Sequence, residues 1–68
     1  MAPVDGKRPP LELLTVAEVA ELLRLKPSGI YAMVAARRIP FIKISNRVRF
    51  DRTEVVAWLQ RNRVPSRE

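Results

Sequence analysis

The sequence predicts a small, mostly helical α+β domain: two short helices joined by a tight turn, then a β-hairpin, then a closing helix. Three observations predict it. Thr15 and Glu18 stand at capping-box spacing ahead of an apolar run of helical period, so a helix starts there. Pro27 breaks that run, because proline has no N–H to give and biases the residue before it away from helix, yet it suits the first position of a new helix. Beyond Pro40 the period changes, and Phe41-Ile42-Lys43-Ile44 and Val48-Arg49-Phe50 read as two short strands.

Length and composition bound what such a chain can be. Sixty-eight residues, 47% of them hydrophobic, make one small domain with a modest core. With neither cysteine nor histidine there is no disulfide staple and no ligand set for a structural zinc, and a reducing, cytoplasmic setting fits. No apolar run approaches the roughly 18 residues of a membrane span, and the first ten residues lack the apolar stretch of a signal peptide. An enzyme is not expected either: the three serines have no general base near them and no carboxylate pair is suggested. Neither a cofactor nor a small-molecule substrate is evident.

The net charge is +6, and its position says more than its size. The segment 26–50 holds Lys26, Arg37, Arg38, Lys43, Arg47 and Arg49 and no acid, so it accounts for the whole excess. A one-signed stretch attracts polyanions. This one begins where the second helix begins, which turns the reading from a merely solvated face towards nucleic acid.

In chain order, residues 1–10 carry three prolines, a glycine and mixed charge, and read as a disordered arm in which Lys7 and Arg8 are solvated. The domain spans 11–63. Leu11 to Leu14 lead into the first helix, where Leu14 and Val19 are placed as a hydrophobic staple and Val19, Ala20, Leu22 and Leu23 make an apolar face. In the second helix Ile30, Met33, Val34 and Arg37 recur on one face, which sends Ser28, Gly29, Ala32 and Ala35 outward with Tyr31 on the flank.

Two helices on so short a link cross steeply, and Ala20 supplies the small residue needed where they touch. The arrangement resembles a helix-turn-helix, with Val19, Leu23, Leu25, Ile30 and Met33 at its apolar positions. The alternative is a plain helical hairpin without a ligand. Of the outward set only Ser28 can hydrogen-bond to a base through its side chain, so modest direct readout is expected, with phosphate contacts from Lys26, Tyr31 and Arg38. A rival reading packs the small-residue face of Ala32 and Ala35 on another protein.

In the hairpin, a three-residue loop Ser45-Asn46-Arg47 pairs Ile44 with Val48, Lys43 with Arg49 and Ile42 with Phe50, which keeps one face apolar. Ile42, Ile44, Val48 and Phe50 then face the core. The other face sets Lys43 opposite Arg49 with Arg47 near the tip, a like-charge arrangement that a phosphate backbone would relieve. A hairpin so placed is a wing. Asp51 and Glu54 repeat the capping-box spacing, Phe50 and Val55 form a second staple, and the closing helix runs from Arg52 to about Asn62 with Val55, Trp58 and Leu59 as its apolar face. Residues 64–68 are a flexible tail.

From Leu13 to Leu59 the chain resembles the excisionase-type, MerR-like winged helix-turn-helix domains. The resemblance lies in LLTVAEVAELL, in Ile30-Tyr31, in Arg38-Ile39-Pro40, in Arg47-Val48-Arg49-Phe50 and in the ending Val55-Val56-Ala57-Trp58-Leu59. It implies a small DNA-binding protein of phage, integrated-element or bacterial origin. Such a protein either helps a site-specific recombinase to excise DNA by binding and bending the attachment site, or regulates transcription. By that resemblance, Ser28, Gly29, Ala32 and Ala35 meet the major groove and Arg47 and Arg49 are wing contacts. Beyond double-stranded DNA, the partners implied are an integrase and further copies of the chain on DNA. Three positions depart from the pattern: Arg24 and Arg37 stand where glycine commonly ends the first and second helices, and Lys26 replaces a serine-like cap.

Overall fold

The computed structural model describes residues 11–65, and the expectations for residues 1–10 and for Ser66 to Glu68 lie outside them. The element order is β1 (Leu13–Leu14), α1 (Val16–Leu23), α2 (Pro27–Ala35), β2 (Ile42–Ile44), β3 (Arg47–Asp51) and α3 (Arg52–Arg61). This is the mostly helical winged helix-turn-helix architecture that the sequence predicts, with one extra element. Leu13–Leu14, which the sequence predicts only as the lead into the first helix with Leu14 in its staple, forms a two-residue strand. It pairs antiparallel with β3, Leu13 against Asp51 and Leu14 against Phe50, in a sheet of order β1-β3-β2. Two residues are too few to show a period, which is why the pattern missed it.

α1 starts as its capping box requires. The Thr15 hydroxyl accepts from the Glu18 N–H at 3.2 Å and a Glu18 carboxylate oxygen accepts from the Thr15 N–H at 2.8 Å. Its end is a Schellman motif: Leu25 N–H donates to the Ala20 carbonyl and Arg24 N–H to that of Glu21, with Arg24 left-handed at φ 59°. α2 ends the same way, Arg38 N–H donating to Met33 and Arg37 N–H to Val34, with Arg37 at φ 56°. Arg37 is therefore not on the inward face of α2 but past its end, and exposed. Both departures from glycine thus fall where a side chain strains the backbone, by roughly 1–2 kcal/mol each.

The core is Leu14, Val16, Val19, Ala20, Ile30, Ile39, Phe50 and Val55, with Leu23, Met33, Val34, Phe41, Val48 and Trp58 packed partly buried around it. Val19, Ile30, Phe50 and Val55 are fully enclosed. Leu22 and Leu59, placed on apolar faces by spacing, are exposed instead, at 39% and 37% of their surface. Asp51 caps α3 by accepting from the Thr53 N–H at 3.2 Å. No return bond from Glu54 completes a capping box among the described residues, and the ladder partner Leu13 holds Asp51 in the sheet. Trp58 donates its indole N–H to the Arg38 carbonyl at 2.8 Å, which fastens α3 to the link between α2 and the wing.

The wing corrects the sequence reading by one residue. Ile42 pairs with Arg49, Lys43 with Val48 and Ile44 with Arg47, so the loop is the two residues Ser45-Asn46. Ser45 has φ 54° and Asn46 is not in the positive-φ region, the pattern of a II′ turn, whose twist suits a two-residue hairpin. Cross-strand partners share a face, so Ile42, Ile44, Arg47 and Arg49 lie on one side and Lys43, Val48 and Phe50 on the other. The core thus takes Val48 and Phe50 from β3, with Phe41 just ahead of β2, rather than Ile42 and Ile44. Lys43 stands across from Val48 and not from Arg49, so the like-charge pair does not form. The apolar pattern misled because only part of this hairpin is covered, and there the turn decides the register.

Candidate nucleic-acid interface

α2 presents a continuous exposed stripe. Ser28, Tyr31, Ala32 and Ala35 recur at i, i+3, i+4 and i+7 and all are open to solvent, while Gly29 beside them is half-buried. Ile30 pins the opposite side, with no exposure at all. Small side chains let the backbone of such a helix come close to a ligand, and the stripe contains no carboxylate.

The start of α2 is unusual. Its N-cap is Lys26, which makes no side-chain capping bond, its first residue is Pro27, and no acid lies in its first turn. The positive end of the helix dipole and an ammonium are therefore side by side and unopposed, an arrangement that favours phosphate. Beyond the other end come Arg37 and Arg38, both exposed.

A cleft of about 370 Å³ opens between the first turn of α1, Tyr31 of α2 and residues 46–49 of the wing. It brings Tyr31, Arg47 and Arg49 together, and no carboxylate lines it. The Arg49 guanidinium is oriented by donating to the Val48 carbonyl at 2.8 Å. A second cleft, of about 320 Å³, is different in sign: Glu12, Glu18 and Glu21 face it with Arg52. The Arg52 and Glu12 side chains approach to 3.9 Å there, both well exposed, a pair of small energetic weight. Polyanion is repelled from the second cleft and attracted to the first.

Of the residues singled out by sequence, then, Ser28, Tyr31, Ala32 and Ala35 share one stripe with Gly29 at its margin. Tyr31 links that stripe to Arg47 and Arg49 in the cleft, and Lys26 and Arg38 lie at the two ends of α2. Lys43 is separated from them by the corrected register, on the other face of the wing. Sequence reasoning missed Asn46, which lines the basic cleft, and Arg24 and Arg37, which flank α2. The last two had a signal, since each replaces an expected glycine. Among the described residues no helix is long and apolar enough to cross a membrane.

Comparison with curated proteins found no match, and neither did comparison with solved structures. A family model described as a helix-turn-helix domain matches residues 13–63, from the first strand to just past α3. Helix-turn-helix modules place their second helix in the major groove of DNA, and here that helix bears the exposed stripe and borders the basic cleft. On fold, surface and sequence match alike, the chain belongs to the helix-turn-helix domain family.

Proposed function

We propose that this small DNA-binding protein is an excisionase-type recombination directionality factor, which binds and bends attachment-site DNA with α2 in the major groove and the wing on the adjoining backbone. The observation that carries the reading is the acid-free cleft lined by Tyr31 of α2 together with Arg47 and Arg49 of the wing. One stretch of phosphate backbone laid there touches both elements, so α2 and the wing engage the same duplex. Ser28, Gly29, Ala32 and Ala35 meet the groove, and Lys26, Tyr31 and Arg38 join Arg47 and Arg49 on phosphates. Lys43, on the far face of the wing, falls outside this surface. The ordered motifs from LLTVAEVAELL to the Trp58-Leu59 ending support the excisionase-type assignment.

In this role the protein is not an enzyme. It acts in the bacterial cytoplasm on the nucleoid, beside an integrase and further copies of itself. The same DNA surface serves a MerR-like transcriptional regulator, and a footprint on the attachment and promoter regions of the element that encodes it separates the two. The exposure of Ala32 and Ala35 favours a further reading, docking of a protein on α2. Ala32→Glu then abolishes capture of an integrase while salt-sensitive DNA retention persists.

The direct test is binding to duplex DNA as salt is varied. Arg47→Ala and Arg49→Ala are each expected to lower affinity and to reduce the log–log salt slope by about 1, with little change in stability. If neither variant moves affinity or slope, the wing has no place in the interface.

A further inference from the structure

Two exposed arginines of the fold sit in strained backbone. Arg24 and Arg37 both sit in left-handed backbone, at φ 59° and 56°, as the residues that close the Schellman motifs of α1 and α2. Glycine fills such a position without strain, and asparagine tolerates it. Ser45, also at positive φ, has its explanation in the wing turn. The two arginines have no such account. Each is exposed, and neither makes a salt bridge or a side-chain hydrogen bond among the described residues.

Their places are what α2 and its ligand would select. Arg24 lies in the turn before α2 and Arg37 just past its end, so the two bracket the helix. Nine residues of α-helix rise about 13 Å, against a major groove about 12 Å wide. Cations just beyond both ends of a helix seated there reach towards the phosphates that flank the groove on either side. Lys26 repeats the pattern between them, an exposed cation where a serine, threonine or aspartate would cap. At three positions bordering α2, local structure disfavours the residue present, and each time that residue is a cation. Charge needed only for solubility sits on any exposed, unstrained position, such as Ala36 next to Arg37.

We infer that Arg24 and Arg37 are DNA-backbone contacts kept at a cost in stability, an inference that rests on the DNA-binding reading above. The test measures thermal stability and duplex binding together, on the full chain, with a mixed-sequence duplex of about 30 base pairs, roughly three helical turns. Arg24→Gly and Arg37→Gly should each raise Tm by roughly 2–6 °C. Each should also weaken binding on the order of ten-fold at 50 mM salt and lower the salt slope by about 1. Arg24→Asn and Arg37→Asn, neutral and tolerant of the left-handed region, should lose the same affinity. Unchanged affinity and slope in either glycine variant overturns the inference, as does a loss that asparagine does not share, or a Tm that glycine fails to raise. Failure of the DNA reading itself shows differently, as an unmutated protein with no salt-dependent retention of the duplex.

Discussion

The two helices at the centre of the fold are built to opposite rules. α1 has a complete capping box, an acid in its first turn and three buried residues, Val16, Val19 and Ala20. α2, one residue longer, has no side-chain cap, no acid in its first turn and a single buried residue, Ile30. Where α1 satisfies its own start, α2 leaves its start bare beside Lys26, and both helices close in the same way on a strained arginine. α1 is the scaffold, and α2 is held in place by α1, with its free side and both ends given over to what lies outside the molecule.

The sharpest way to break that comparison is to remove the one buried anchor of α2. Ile30→Ala deletes most of a fully enclosed side chain between α1 and α2 and should cost about 3 kcal/mol. In a domain with so small a core this is a large share of the total stability. Urea unfolding measures it, and a loss under about 1 kcal/mol would mean that other contacts hold α2.

The same contrast explains which parts of the molecule were legible in the sequence. Helix starts were readable because their signals are local: Thr15 with Glu18, Pro27, and Asp51 all mark real N-termini. The core was readable where a side chain is enclosed from all sides, as at Val19, Ile30, Phe50 and Val55. Reading failed where the environment is one-sided. The hairpin register turned on the Ser45 backbone, which alternation of Ile42, Ile44 and Val48 does not encode, and Leu22 and Leu59 have apolar spacing but no partner surface. The exposed stripe of α2 followed from its buried face. The cleft did not, because only the folded chain sets Tyr31 of α2 and Arg47 and Arg49 of the wing around one opening.

A second pair of substitutions tests the capping difference directly. Thr15→Ala removes the hydroxyl that accepts from Glu18 N–H and should cost about 1 kcal/mol. Lys26→Ser supplies α2 with the cap it lacks and should stabilise by up to about 1 kcal/mol, while DNA affinity falls with the lost cation. Thermal unfolding of both variants beside duplex binding reads the two effects at once. Equal and opposite stability changes fit a scaffold helix and a contact helix. A Lys26→Ser protein that is less stable than the parent would show that the lysine itself holds the turn.

The smallest expected effect bears on how closely α2 approaches its ligand. Gly29 lies in the first turn of α2 with ordinary helical backbone, since no glycine among the described residues has positive φ, and a Cβ placed on it meets nothing within 4 Å. Neither conformation nor packing in the free protein therefore calls for glycine. Replacing it with alanine should stabilise the domain by roughly 0.5–1 kcal/mol, through the restricted unfolded chain and better helix propensity. The same methyl group stands at the margin of the stripe formed by Ser28, Tyr31 and Ala32. If the start of α2 comes against a groove wall there, Gly29→Ala binds duplex DNA more weakly although it folds more stably. Unchanged affinity would place the closest approach further along the helix, at Ala32 and Ala35, and leave Gly29 without a role in contact.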